Sequence, residues 1–580
     1  MTQPDLPEDG DRPARAPECV PDSRGLNLFD ADPGYAALLD LHLGKDLSAH
    51  LRPHFSRLGA LAGAELDELA LAADKYPPTL DGQRVLKSAA YRRLEAVAFG
   101  EYGLAAMSHR GGVLAWPEPL PAAAKYALSY LYVQAEFGVC CPLSMTDSLT
   151  RTIRKFADPA LVARFLPGLT SQDVDALTQG AMFITEQQAG SDVGGVTTLA
   201  RREGDDWRLY GDKWFCSNAD AGLALVLARP EGAPGGTRGL SLFLLPRFLP
   251  DGEPNRYRIL RLKDKLGTRA MPSGEIKLEG ALAWLVGDPQ QGFKQMTDMI
   301  NMSRLSNGMR AAGMMRRALT EALFVARNRH AFGRPLVDLP LMRRQLLKLM
   351  LAAESARSFM FFTAAELGQA DAGDDAARRR VRLLTPLIKF RACRDARKAT
   401  GDAMEVRGGV GYTEEWSDPR LVRDAHLGSI WEGTSNIVAL DVMRAIRKER
   451  ALEALLPALD ERVAGAPRLL AGRLAASLDK AAAFAHEAAS SGDEAHARQA
   501  ATGLYYACAA ALLADEGTRL GAQGDARRQL LAFLAYVHRL APRDPLRRVS
   551  TGSEAELADA LLPETPLAPD AALRILTRLA

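Results

Sequence analysis

Apolar residues recur at helical spacing from about Tyr35 to Gly180, where PAAAKYALSYLYVQAEFG and LTRTIRKFADPALVARFLPGL interleave large apolar side chains with alanine. The texture then changes. Up to about Gly292 helix formers thin out, GDDWRLYGDKWFCSN alternates as two short runs across a YGDK turn, and GLSLFLLPRFLPDG ends in a Pro-Asp-Gly breaker. A β-domain is therefore expected over 181–291, after a helical domain over 35–180. Helical spacing resumes in QMTDMINMSRLSNGMRAAGMMRRALTEALFVARNR, LPLMRRQLLKLMLAAESARSFMFFTAAELG and LLTPLIKFRACRDARKATGDAMEVRGG. With IVALDVMRAIRK as a fourth stripe, these predict a four-helix bundle over 292–449. GQADAGDDAARRR (368–380) reads as a loop, with Arg378, Arg379 and Arg380 on a solvated helix start. An alanine-rich helical domain is expected over 450–580. The opening MTQPDLPEDGDRPARAPE is acidic and proline-rich without an apolar stretch, so residues 1–34 are expected to be a mobile tail rather than a signal peptide.

Composition narrows the function classes. Of 580 residues 47% are hydrophobic and 25% charged, which excludes disorder as the general state. A formal net charge of +2 provides no long-range field for nucleic acid or membrane. No run of about 18 uncharged apolar residues announces a membrane span. The six cysteines are scattered, with spacing that suits neither a disulfide framework nor a zinc site, so no metal and a reducing cytoplasm are expected. Cys140 and Cys141, beside Pro142 in an apolar run, read as buried small hydrophobes.

SIWEGTSN (429–436) sets one carboxylate, Glu432, between Trp431 and Gly433 at the mouth of a helix. An acid there suits the positive end of the helix dipole, and by itself it needs no other reason. MFITEQQAGSDVGGVTTLAR joins helix to strand through a glycine-rich loop that is either a structural turn or a cradle of backbone N–H groups for an anion or cofactor. It is neither GxGxxG nor a P-loop.

These stretches do not stand alone. ITEQQAGSDVGG, GDKWFCSN, LKDKLGTRAMPSGEI, RHAFGRPL, MEVRGGVGYTEE and RDAHLGSIWEGTSNI follow in that order. With these motifs the chain resembles the acyl-CoA dehydrogenase superfamily over about residues 35–450. CPLSMT, LPRFLPDG, PLMR, LDVMR and the extra C-terminal region place the resemblance in its AidB-like branch. The resemblance implies a multidomain α+β fold: an N-terminal α-helical domain, a β-barrel-like middle domain, a four-helix bundle and an added C-terminal helical domain. It also implies FAD as cofactor, an acyl-CoA-type substrate, a separate electron acceptor and a homotetramer built as a dimer of dimers. Carried over position by position, Thr185 and Ser191 match the loop contacting the flavin and its pyrophosphate, and Ser191 also faces substrate. Phe215 and Ser217 match the strand against the isoalloxazine ring. Arg329 and Phe332, with Glu405, Gly408 and Gly409, match segments that meet the FAD of a neighbouring subunit. Trp431 and Thr434 match cofactor contacts, Gly433 and Arg304 substrate contacts.

Glu432 matches the catalytic base, which takes the α-proton of the thioester while the β-hydrogen leaves as hydride to flavin N5. The chemistry wants a carboxylate there. An α-C–H is a poor acid, and a glutamate desolvated beside Trp431 becomes a stronger base. Relatives that place the base on a bundle helix do so where this chain has Ser303, which leaves Glu432 unopposed. Asn301, Leu339-Pro340 and Asn436 depart from the pattern of many relatives.

The branch also carries a second implication, non-specific double-stranded DNA as a partner in the alkylation-stress response, with weak or no dehydrogenase turnover. An oxidase passing electrons to oxygen is a third reading. Residues 451–580 hold 14 Lys+Arg against 16 Asp+Glu, which argues against DNA. GDARRQLLAFLAYVHRLAPRDPLRR argues for it, with Arg527, Arg528, Arg547 and Arg548 as candidate phosphate contacts or, equally, a solvated helix face.

Overall fold

The computed structural model describes residues 21–542, 546 and 551–579, the side chains of 551 and 552 excepted. Its first helical part holds α1 (Tyr35–Leu43), α2 (Lys45–Gly63) and α3 (Glu65–Lys75). A hairpin of β1 (Thr79–Asp81) and β2 (Arg84–Leu86) leads to α4 (Ala89–Glu95), α5 (Ala122–Tyr132), α6 (Cys140–Phe156) and α7 (Pro159–Leu169). The hairpin interrupts a stretch that hydropathy reads as helical. α5 and the first three turns of α6 are buried almost all round, as their alanine, serine and cysteine content allows.

Residues 21–34 correct the expectation of a tail. Leu28 and Phe29 enter the core, Phe29 stacks on Phe55 at 5.7 Å, and the Gly25 N–H donates to the Gly63 carbonyl at 2.8 Å. Gly63 makes the approach feasible, because a Cβ there would fall 1.7 Å from the Leu26 oxygen. Asp32 adds a buried pair with Arg316 and Arg357, and Ser23 donates to Glu321, so the docking rests on contacts with remote residues that leave no hydropathy pattern.

The β-part runs through β3 (Gly180–Phe183), β4 (Leu199–Glu203), β5 (Asp206–Ser217), β6 (Leu223–Pro230), β7 (Ser241–Pro246), β8 (Tyr257–Leu262) and β9 (Ser273–Val286). β6, β4, β5, β9 and β7 pair in that order, and β7 pairs back on β6, closing a barrel-like ring that β3 and β8 flank. Closure removes exposed edges. DWRLYGDKWFCS is one strand, not two runs about a turn. It pairs with β9 along its length and absorbs the apparent break as register shifts at Leu209/Tyr210 and between Lys213 and Cys216.

The third part is built on α8 (Gly292–Asn328), α9 (Pro340–Asp371) and α10 (Asp375–Arg407), with the short β10 (His330–Ala331) and β11 (Arg334–Pro335) between α8 and α9. α11 (Ser417–Gly428) and α12 (Ser435–Glu449) complete it, and α12 packs on α10. The expected loop 368–380 shrinks to three residues, since α9 reaches Asp371 and Asp374 caps α10 by accepting from the Ala376 and Ala377 N–H groups. Arg380 turns back onto Glu366 at 2.6 Å. Six further helices follow: α13 (Ala451–Ala464), α14 (Arg468–Ser491), α15 (Ala497–Gly521), α16 (Arg527–Ala535), α17 (Thr551–Leu561) and α18 (Pro569–Leu579). Among the described residues no helix is long and apolar enough to cross a membrane.

Buried ion pairs join the parts. Arg317 pairs with Asp67 at 3.1 Å and Glu321 at 2.8 Å, and Arg407 with Glu321 at 2.6 Å and Asp418 at 2.9 Å. Arg528 of α16 reaches Glu354 of α9 and Glu516 of α15. The Arg527 and Arg528 candidates for phosphate contact are thereby corrected: they are 7% and 2% exposed, and Arg528 is spent on two carboxylates and the Ser358 hydroxyl. Arginine-rich sequence reads as a charged surface only when its partners are not visible, and these partners are remote in sequence. Arg547 and Arg548 lie outside the described residues.

Candidate functional site

Glu432 sits in the link between α11 and α12 with φ 55°, left-handed backbone that a glutamate rarely adopts. Gly433 follows with φ 98°, where a Cβ would also press Val438 at 3.0 Å. Such a turn persists only where its surroundings hold it. Ser303 of α8 donates its hydroxyl to Glu432 Oε1, and Asn307 Nδ2 donates to Oε2 at 2.9 Å. Arg304 Nε donates to the Glu432 carbonyl at 3.3 Å, and Lys389 of α10 donates to the Gly433 carbonyl.

Arg304 was expected to contact substrate. Its guanidinium is buried and paired with Asp441 of α12, which Arg382 also binds at 2.7 Å. A buried arginine takes the nearest carboxylate, so Arg304 positions the loop through Nε and Nη1. Ser303, the residue that stands where a base cannot be, supplies a hydrogen bond to Glu432 instead.

Burial raises the Glu432 carboxyl above its ordinary range, opposed by Arg310, the Ser303 hydroxyl, Lys389 and Arg304. Burial lowers the Lys389 ammonium to about 8. Since the carboxylate is the form that accepts a proton, it is populated above the raised pKa. Ser303→Ala removes a donor that favours the charged form, so the Glu432 pKa rises further. The midpoint of the carboxyl titration is expected to move up by about one unit, because a hydrogen bond to a charged group is worth about 1.5–3 kcal/mol and one unit is 1.36 kcal/mol. An NMR titration of the Glu432 carboxyl measures it; a midpoint that stays or moves down removes Ser303 from this role.

Trp431 stacks on Phe137 at 5.8 Å, and the Arg310 guanidinium lies against both rings, 4.8 Å from Trp431 and 5.3 Å from Phe137. Cys141 of α6 links this group to the barrel. Burial pushes its thiol up to about 11, opposed by Arg310, Lys265 and the Ser217 hydroxyl of β5.

Phe215, two residues back on β5, is 54% exposed, with the Lys263 ammonium 4.5 Å above its ring. Thr185 is half-buried and its carbonyl accepts from the Trp214 N–H at 2.8 Å; Ser191 is exposed. Between them Glu186 organises the loop from inside. It accepts from the Thr197 and Thr198 N–H groups at 2.8 and 3.0 Å and from Lys213 at 2.9 Å, which hold its carboxyl down at about 2 against burial.

The remaining predicted residues gather elsewhere. Arg329 Nη1 donates to the Arg407 carbonyl at 2.7 Å, beside Gly408 with φ 76°. Glu405 and Gly409 are exposed there, and Phe332 is 91% exposed. Arg329 follows α8, whose 1.5 Å rise per residue puts it about 38 Å along the axis from Ser303. Thr434, exposed, is the residue before α12.

Asn307, Arg310, Lys389 and Glu186 escape the sequence reading, which names Ser303 only as a position where no base can stand. Ser303, Asn307 and Arg310 share one face of α8 at i, i+4 and i+7, a polar stripe along the helix. Lys389, alone in TPLIKF, gives a similar signal. Among the described residues no group of His, Cys, Asp and Glu could hold a metal ion.

The fold and this site define a class of protein. Residues 181–281 match the acyl-CoA dehydrogenase middle domain and residues 290–447 the acyl-CoA dehydrogenase C-terminal domain, preceded over 19–176 by the adaptive response protein AidB N-terminal domain. The chain belongs to the acyl-CoA dehydrogenase family. Over 413 residues it is 37% identical to AidB of Escherichia coli (strain K12), covering 68% of this chain and 74% of that protein. It is 33% identical over 408 residues to acyl-CoA dehydrogenase family member 11 of Caenorhabditis elegans, covering 67% of this chain and 66% of the relative. The structure of Caenorhabditis elegans ACDH-11 in complex with C11-CoA superposes with a TM-score of 0.82 at 27% identity, over 95% of this chain and 97% of that one.

Proposed function

We propose that the chain is an FAD-dependent acyl-CoA dehydrogenase in which Glu432 removes the α-proton of a thioester. The observation that carries the reading is the buttressed Glu432 turn, a strained, desolvated carboxylate held by α8 in a chain of this family.

The residues present fit the cofactor. The exposed Phe215 ring and the open loop at Gly190, above which a Cβ would meet nothing within 4 Å, leave room for a flat ring system. Thr185, Ser191, Phe215, Ser217, Trp431 and Thr434 would hold it, and when bound it would accept the β-hydrogen as hydride. The chain's own part is to orient and to move one proton. Ser303 and Asn307 fix both Glu432 oxygens, Arg304 and Lys389 fix the carbonyls of the turn, and Trp431 with Phe137 excludes water. The proton goes to a Glu432 oxygen, and Gly433 lets the thioester approach the backbone.

Arg329, at the far end of α8 and bonded to the Arg407 carbonyl beside Glu405, Gly408 and Gly409, lies too far from Ser303 to join the Glu432 group within one chain. Phe332 and Tyr412, 91% and 81% exposed, leave apolar surface beside them that a second copy would cover. Both observations support an oligomer in which this end completes a neighbour's cofactor site, as in a dimer of dimers. The purified protein should release FAD on denaturation, scatter light as an oligomer, and bleach anaerobically on titration with a series of acyl-CoAs. FMN, a fully flavinated monomer, or no bleaching by any thioester would each remove the corresponding part of the reading.

A further inference from the structure

Three arginines meet around the link that carries Glu432, and their partners are all uncharged. Arg394 Nη1 donates to the Ser435 hydroxyl at 3.2 Å, Arg397 Nη1 to the Ser429 hydroxyl at 3.2 Å, and Arg498 Nη1 to Asn436 Oδ1 at 3.4 Å. Arg394 and Arg397 come from α10 and Arg498 from the first turn of α15, so segments remote in sequence bring the charges together. Among the described residues none of the three pairs with a carboxylate. Asp395, which favours the Arg394 charge, is taken by Arg391 and by the Tyr506 hydroxyl at 3.1 Å. Burial lowers the Arg394 pKa, and Arg498, Arg391 and Arg397 lower it further, so like charges face one another here.

The neutral oxygens orient the guanidinium groups without neutralising them. Each arginine spends Nη1 on its partner, which leaves most of a planar donor fork for something else. The start of α12 adds to the same field. Thr434, the residue before that helix, accepts from none of the N–H groups of its first turn, so the positive end of the helix lacks a side-chain cap beside the arginines that hold Ser435 and Asn436. Three unneutralised guanidinium groups in this setting suit an anion with several oxygens and more than one charge.

Position narrows the anion. Ser429 and Ser435 each stand three residues from Glu432, at most about 11 Å along an extended chain. Both ligands proposed for the Glu432 site carry a diphosphate. The flavin ring is joined to its own by a short ribityl chain, the thioester to its own by the much longer pantetheine arm, and the short separation favours the cofactor. We infer that Arg394, Arg397 and Arg498 seat the diphosphate of a nucleotide-bearing ligand whose reacting end lies at Glu432, with the flavin dinucleotide as the expected source. The inference rests on the FAD-dependent acyl-CoA reading of the same site. It gives the helices after residue 450 a part in holding that ligand, since Arg498 of α15 completes the seat.

Two measurements on the flavin-loaded full chain separate the sources. FAD release, followed by the gain in flavin fluorescence on dilution, reads the cofactor. Calorimetric titration with butyryl-CoA and with butyryl-N-acetylcysteamine, the same thioester without a diphosphate, reads the substrate. Arg498→Met is expected to speed FAD release about tenfold, the loss of one hydrogen bond to a charged group, and Arg397→Met with Arg498→Met about a hundredfold. Arg498→Lys should retain FAD better than Arg498→Met, and added salt should speed release from the unaltered protein more than from the double variant. Weaker butyryl-CoA binding in the variants, with FAD release and the truncated thioester unaffected, supports the seat with CoA as its source. If the double variant fails to fold, Arg498→Met and Arg498→Lys, at an exposed residue, decide. Unchanged FAD release and unchanged butyryl-CoA binding overturn the assignment, and so does a release rate that rises equally in Arg498→Lys and ignores salt, the mark of a purely structural role. Tight FAD that does not depend on these arginines, with thioester binding intact, sinks the diphosphate seat alone; a protein that takes up neither flavin nor thioester sinks it together with the acyl-CoA reading.

Discussion

Glu432→Gln is expected to lower acyl-CoA-dependent flavin reduction by about 10⁴-fold or more, at the top of the range for a general base, because no second base faces the substrate on α8. The substitution is clean for a reason specific to this site. Ser303 can still donate to the retained carbonyl oxygen. Asn307, whose Oδ1 has no partner, can turn its amide over and accept from the new N–H₂ group. The φ 55° turn keeps its Arg304 and Lys389 contacts, which go to backbone carbonyls and not to the altered side chain. Flavin content and melting temperature should therefore match those of the unaltered protein, and the loss should appear in the rate of reduction with little change in thioester binding. Anaerobic stopped-flow bleaching with a saturating acyl-CoA measures it. A rate within tenfold of the original would falsify the assignment of Glu432 as base.

The order helical, β, helical was legible because each part repeats its own period over many residues, and the family's motifs are short contiguous runs that can be matched in order along the chain. What stayed hidden depends on contacts between distant segments. Nothing near Arg528 announces Glu354, and nothing near Arg304 announces Asp441, so a run of arginines looked like surface and a buried clamp looked like a ligand. The docking of residues 21–34 rests on Phe29 against Phe55, on a glycine at position 63 and on Asp32 paired with Arg316 and Arg357, none of which forms a periodic pattern. Glu432 itself could be singled out, but the residues that hold it could not. Ser303 and Asn307 are ordinary small polar residues until α8 is laid against the 429–434 link. YGDK carries turn-forming residues, yet pairing with β9 decides the backbone there and keeps β5 one strand.

Arg528→Ala is expected to destabilise the protein by about 3–5 kcal/mol, the cost of removing one partner from a buried ion network. Arg528 donates to Glu516 at 2.8 Å, to Glu354 and to Ser358 at 2.6 Å, so truncation leaves two carboxylates short of donors in a place water does not reach. Glu354 retains Arg357, and Glu516 retains His42 at 2.8 Å, which confines the damage to the contact between α9, α15 and α16. The pH dependence has a definite sign. Arg528, His42 and Ser358 hold the Glu516 carboxyl down at about 2 despite its burial. Its contribution is therefore fully present above the ordinary glutamate value of about 4.3 and disappears as pH falls toward 2. Loss of Arg528 raises that folded-state pKa, so the acid edge of stability should move to higher pH in the variant. Adding Glu516→Gln removes one of the stranded charges and should recover part of the loss, a coupling that independent sites would not show. Thermal melts from pH 3 to 8 read both effects. An unchanged melting temperature would mean that the buried network does not tie the C-terminal helices to the helix carrying Glu354, and the arginine's burial would then need another explanation.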